Sequence, residues 1–192
     1  FEKLMKAISK SLKKNDPNHL NLGIRYGYIE QLDDELLRIS KESFDALSFN
    51  CYALSPDHEK MNHALEISGL PMIIGEYHFG TVDRGLAQSL WQVNSQKERG
   101  DAFRYYTENA FAHRGLIGTG WFRWIDQNIN GRTDGENYNC GFIDVTDRPY
   151  PYMVDAAIEA AKSLYEIHSG TKTPFHQAPN AVGHSPIPDL WE

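Results

Sequence analysis

The sequence is poor in several features that would assign it a class at once. Among its 192 residues are two cysteines, Cys51 and Cys140. They lack metal-site spacing, and two are too few for a disulfide framework. They fit either one bridge in an exported protein or two free thiols. No apolar stretch approaches the roughly 20 residues of a membrane span, so no membrane partner is expected. Basic residues are outnumbered, 19 Lys and Arg against 26 Asp and Glu, for a net charge of -7. That leaves no basic footprint for nucleic acid. The GxGxxG and Walker patterns are missing, as are HExxH, EF-hand spacing and the GxSxG elbow. No cofactor and no metal are therefore expected.

What is present reads as a globular α/β chain. The hydrophobic share is 41% and the charged share 23%, ordinary values for a soluble domain with a core. Leu4, Met5, Ile8 and Leu12 line one face of an opening helix. No initiator Met, signal peptide or capping residue precedes it, so the chain is expected to start inside a helix of something larger. Asp16-Pro17-Asn18 is a turn. Four strand–helix units follow. The strands are expected over 19–27, 45–54, 71–79 and 115–127, and the helices over 32–44, 57–69, 95–113 and 151–168. Gly69 has the place of a C-cap, and Ser95 with Glu98 has capping-box spacing. The stretch from Ser169 to the end, rich in Pro, Gly and His, is expected to be an extended or poorly ordered tail.

Short apolar strands alternating with helices imply a parallel sheet covered by helices. A doubly wound sheet and a (β/α)8 barrel both fit. Four strands are half of the eight a barrel needs. Polar residues gather where the strands end: Arg25; Asn50 and Tyr52; Glu76 and His78; Trp121, Trp124, Asp126 and Gln127. In a barrel that is the catalytic face. With no nucleotide loop after the first strand, half of a barrel is the better reading.

The sharpest signal is Glu76, at the tip of the apolar run PMIIG. A carboxylate at the end of a buried strand must be paired or hydrogen-bonded. One reading is a structural salt bridge to Arg25 or Arg84; the other is a catalytic carboxylate. Strand alternation puts His78 on the side of Glu76, if the strand persists that far, and pairs Asn50 with Tyr52. A tyrosine hydroxyl beside the glutamate would orient it. Trp121 and Trp124 are an odd number apart, so one is expected to face the site and the other the packing layer. Indoles beside Arg123, Asp126 and Gln127 suit a sugar, whose C–H face an aromatic ring covers while polar groups take the hydroxyls. The loop GRTDGENYNCGF adds Asp134, Glu136, Asn137 and Tyr138, each readable as a turn residue or a hydroxyl binder.

Taken together, PMIIGEYHFGTVDRG, SFNCY, and WFRWIDQ followed by GRTDGENYNCGFIDV resemble the C-terminal half of the catalytic domain of glycoside hydrolase family 50 β-agarases. The resemblance runs over roughly residues 1–168. It implies a clan A retaining glycosidase, with the four strands as the fifth to eighth of a (β/α)8 barrel. It implies that Glu76 is the nucleophile, Tyr52 its hydrogen-bonding neighbour and Trp121 the platform near the cleaved sugar. The acid/base glutamate of the family lies in an Asn-Glu pair, and no Asn-Glu dipeptide occurs in this sequence. That residue is expected upstream of Phe1, in the missing N-terminal half of the barrel, so this piece alone is expected to be inactive. The implied partner is a galactan polysaccharide or oligosaccharide, met outside the cytoplasm. The alternatives are a clan A β-galactosidase or other β-glycosidase, or a carbohydrate-binding barrel without catalysis.

Overall fold

The computed structural model of the chain describes residues 1–183. They gather into two compact units, each discontinuous in sequence. The first takes residues 1–51, 57–76 and 115–120; the second takes 52–56, 77–114 and 121 onward. In chain order the elements are α1 (Glu2–Asn15), β1 (Arg25–Tyr26), α2 (Asp34–Ser43), β2 (Leu47–Asn50), α3 (His58–Ser68), β3 (Met72–Tyr77), β4 (Trp91–Gln92), α4 (Gln96–Phe111), β5 (Leu116–Trp121), α5 (Pro151–His168) and β6 (Val182–Gly183).

Strands β1, β2, β3 and β5 form one sheet in that order. The β1–β2 and β2–β3 pairs are parallel. Alternation explains which residues face the core of the first unit: Leu47 and Phe49 of β2, with Met72 and Ile74 of β3, are fully buried. Leu37 of α2 and Met61 and Ala64 of α3 are also buried, and Met5, Ile39 and Phe44 form a satellite cluster with Ile24 and Leu70. The helices begin where their caps dictate. Asp33 accepts from Leu36 N–H at 2.8 Å, and Asp57 accepts from Glu59 and Lys60 N–H. Helix α3 ends on Gly69 at φ +66°, the left-handed cap that its glycine predicts.

Two strands are shorter than the pattern of apolar residues suggests. The first, expected over 19–27, is reduced to Arg25–Tyr26. Upstream of it, side chains take over the hydrogen bonding: Asp45 accepts from Asn21 N–H at 2.8 Å, and Asn21 Oδ1 accepts from Gly23 N–H at 3.1 Å. The last, expected over 115–127, stops at Trp121, because Asp126 and Gln127 are drawn into side-chain bonds with the following loop.

In the second unit α4 and α5 pack together. Gly100 allows the approach, since a Cβ there would lie 2.4 Å from the carbonyl oxygen of Tyr152. Ser95 caps α4 through Glu98 N–H, while the Glu98 carboxylate accepts from Asn94 N–H rather than closing a reciprocal box. An aromatic core surrounds Tyr77, which stacks on Tyr106 at 4.0 Å and is hydrogen-bonded to Thr107 at 2.5 Å. The described part of the tail, 169–183, is largely extended and pinned to α4. Phe175 N–H donates to Glu108 at 2.7 Å, the Arg104 guanidinium covers the Phe175 ring, and β6 pairs antiparallel with β4. The rest of the tail, 184–192, lies outside the described residues. Among the described residues no helix is long and apolar enough to cross a membrane, and no cluster has the makings of a metal site.

Candidate active site

Glu76 sits in the first unit near the carboxyl end of β3. The β2–β3 register slips by one residue after Phe49, so that Asn50 pairs with Glu76 and passes over Gly75. The slip places the Asn50 amide on the carboxylate: Nδ2 donates to Glu76 Oε2 at 3.1 Å. The other oxygen, Oε1, is 2.8 Å from Arg25 Nη2. Cys51 N–H donates to the Glu76 backbone carbonyl at 2.9 Å, which fixes the strand ends against each other.

The salt bridge anticipated as the structural alternative therefore exists, and its partner is Arg25. Arg84 lies instead 4.0 Å from Asp83 and over the Tyr150 ring. The Arg25 side chain is 50% exposed, and a pair with so much water around one member contributes about 1 kcal/mol or less to stability. Stability is a poor reason for a carboxylate in this place. What the two donors achieve is orientation, one on each oxygen.

The second unit contains the remaining candidates. Strand β3 ends at Tyr77, one residue short of His78. His78 is fully buried, and both ring nitrogens are engaged. Leu90 N–H donates to Nε2 at 3.2 Å, so the proton sits on Nδ1, which donates to the Phe122 carbonyl at 3.1 Å. Burial depresses its pKa to about 3. Within this unit His78 is held as a neutral ring between the Leu90 N–H and the Phe122 carbonyl. Tyr52 stands with its ring edge-on to His78, centroids 5.0 Å apart, and packs on the cluster of Leu90, Tyr138 and Cys140.

Trp121 is half-buried, with edge contacts to Tyr77, Phe103 and Phe142. Its Nε1–H donates to the Cys140 carbonyl at 2.7 Å. Trp124 lies beyond the strand, 67% exposed, with one ring face stacked on Phe142. The strand argument for opposite-facing indoles does not apply past Trp121, where β5 ends.

Asp126 and Gln127 depart furthest from expectation. Both are buried. Asp126 accepts from Gly141 N–H at 2.7 Å, Asn139 Nδ2 at 2.7 Å and the Tyr150 hydroxyl at 2.6 Å. Gln127 accepts from Tyr138 N–H and donates to Glu136. Their polar atoms are engaged within the unit, because the chain turns inward after Trp121 rather than ending at the surface. Glu136 is partly exposed and also paired with Arg132 Nη1 at 3.1 Å. Arg132 in turn lies over the Phe122 ring. Cys51 and Cys140 are both buried and in no disulfide, and desolvation pushes the Cys140 thiol up to about 12. Sequence reasoning missed Arg99, Asn139 and Tyr150. A buried polar cluster has no periodicity, and Arg99 inside SQKERGDAF looks like one more charge on a solvated helix face.

No family profile matches the chain. Over 166 residues it is 36% identical to Beta-agarase A of Vibrio sp. (strain JT0107), covering 83% of this chain and 16% of that protein. Beta-agarase B of the same organism is 34% identical over 170 residues, covering 85% and 17%. The crystal structure of an agarase, AgWH50C, superposes with a TM-score of 0.81 at 36% identity, over 87% of this chain and 24% of that one. The chain thus spans about a sixth of the curated relatives it matches. Sequence identity and backbone superposition agree, and the chain is similar to one segment of the glycoside hydrolase family 50 β-agarases.

Proposed function

We propose that the chain is the C-terminal half of a (β/α)8 catalytic barrel. In this reading the gene product that carries it cleaves β-galactosidic bonds of agarose-type galactan with retention of configuration. The sheet order supports the barrel: each strand of this sheet is added on the same side of the one before, β1-β2-β3-β5. A doubly wound sheet would reverse its order at a switch point. The observation that carries the function is Glu76, held on one oxygen by Asn50 and on the other by Arg25 at the carboxyl end of a parallel strand.

Glu76 is the proposed nucleophile. Its carboxylate oxygen forms a bond to the anomeric carbon as the glycosidic C–O bond breaks. The leaving oxygen takes a proton from an acid/base carboxyl, expected upstream of Phe1 and about 5–5.5 Å from the nucleophile. That same group then deprotonates a water, which attacks the anomeric carbon and releases Glu76. Asn50 and Arg25 orient the attacking oxygens. Tyr52 is proposed as the neighbour that donates to the nucleophile, Trp121 as the platform for the cleaved sugar, and Trp124 and Glu136 as outer sugar contacts. Lacking the acid/base group, residues 1–192 alone are expected to show negligible hydrolysis. A polysaccharide substrate places the work outside the cytoplasm.

The test is a mechanism-based 2-fluoro galactoside applied to the gene product. Proteolysis and mass spectrometry should find the label on the peptide carrying Glu76. A label elsewhere, or full activity in Glu76→Gln, sinks the assignment.

A further inference from the structure

Residues Asn139, Cys140 and Gly141 are gripped from two directions inside the second unit. From α4 comes Arg99, fully buried, whose guanidinium fork donates Nη1 to the Asn139 carbonyl at 3.0 Å and Nη2 to the Gly141 carbonyl. A planar fork with fixed donors suits two carbonyls one residue apart, which a lysine ammonium cannot span. The Tyr150 ring lies under the guanidinium, 4.5 Å away. The second grip is Asp126, which takes Gly141 N–H on Oδ1 and the Asn139 amide and Tyr150 hydroxyl on Oδ2. Between the two gripped residues the Cys140 carbonyl accepts the indole N–H of Trp121.

We infer that Arg99 and Asp126 are positioning residues: through the Asn139–Gly141 tripeptide they fix the ring of Trp121 as a sugar platform. The inference rests on the sugar role proposed for Trp121, and it adds what makes that ring rigid. T-shaped contacts with Tyr77, Phe103 and Phe142 pack the ring, and the N–H bond fixes its turn within its own plane. A platform that must meet one face of a pyranose loses affinity if it samples several tilts. Burying a cation on α4 and a carboxylate in the segment after β5 costs free energy that their hydrogen bonds offset in part, Arg99 Nε being without a partner. Both here are directed at the peptide that carries the acceptor for the indole.

The test uses the gene product that carries this chain, labelled with fluorotryptophan and read by fluorine NMR. The Trp121 signal is the one lost in Trp121→Phe. In Arg99→Lys and Asp126→Asn that signal should shift and broaden while the other tryptophan signals stay in place, which also reports that the fold survives. The KM for galactan oligosaccharides should rise about tenfold, the factor expected for one hydrogen bond, with a much smaller change in kcat. Tyr150→Phe removes one of the donors to Asp126 and should give a smaller shift of the same signal, keeping the idea testable if the charged variants fold poorly. An unmoved Trp121 signal in these variants overturns the clamp. A moved signal together with unchanged sugar affinity in Trp121→Ala upholds the clamp and overturns the platform.

Discussion

The two carboxylates that draw most notice in this chain sit in different units and live in opposite conditions. Asp126 is buried, and its oxygens accept from Gly141, Asn139 and Tyr150. Glu76 is partly exposed, and its partners include a half-exposed arginine and the Asn50 amide. The first arrangement fits a group that holds a loop together. The second fits a group that is aimed but not enclosed. From sequence the two look alike, each an acid near the end of an apolar run. What separates them is burial: Asp126 is 5% exposed, while the Glu76 side chain is 19% exposed and bridged to an arginine that is half in water.

Exchanging the roles by mutation is the strongest way to break this contrast. Glu76→Gln in the gene product should lower kcat by at least about a thousandfold, yet change the unfolding free energy by less than about 1 kcal/mol. Asp126→Ala should do the reverse for stability, costing about 3 kcal/mol or more, since it strands several buried donors. Steady-state kinetics and denaturant titration on both variants decide the matter. A Glu76→Gln that unfolds easily, or an Asp126→Ala that does not, removes the distinction.

A second contrast involves His78, whose folded pKa near 3 lies below the usual 6.5. The unfolded chain binds a proton there from about pH 6.5 downward and the folded chain does not. The stability from keeping His78 neutral is therefore complete above pH 6.5 and is lost as pH falls toward 3, at no more than about 1.4 kcal/mol per pH unit. Urea titrations at several pH values should show this slope, and His78→Gln should flatten it. The cysteines sharpen the picture of the buried interior. A thiol reagent should find neither Cys51 nor Cys140 in the native protein at neutral pH and both in denaturant. The smallest effect belongs to the most exposed candidate: Trp124→Ala should cost less than about 1 kcal/mol of stability while weakening oligosaccharide binding several-fold. A large loss of stability would make Trp124 a packing residue.

Much of this was legible in the sequence, and for identifiable reasons. Two helix ends were readable because Ser95 carries its cap in its side chain and Gly69 in its lack of one. The strands carrying Phe49 and Ile74 were readable from their apolar runs. Glu76 stood out because a charge at the tip of such a run needs an explanation. The strand over 19–27 was overestimated because Leu20, Leu22 and Ile24 imitate alternation while Asn21 and Gly23 build a turn. Asp126 and Gln127 were misplaced because the end of β5 could not be seen, and with it the point at which side chains turn inward. Arg99 was invisible because its partners, two backbone carbonyls some forty positions away, leave no trace in residue type.

One detail of β3 has consequences for how such sequences vary. A Cβ built on Gly75 would fall 2.2 Å from Arg25 Cδ, because the arginine stem crosses the strand there on its way to Glu76. A Cβ on Gly120 of the neighbouring strand would lie 2.6 Å from the Gly75 carbonyl oxygen. The glycine before the glutamate is thus the corridor through which its cation arrives. Positions 25 and 75 form a single unit of choice. Any side chain at 75 evicts the arginine, and a shorter residue at 25 is the change that would make room for one. Across related proteins the two should covary, and a pair in which both have changed would mark a glutamate at position 76 that has found another donor.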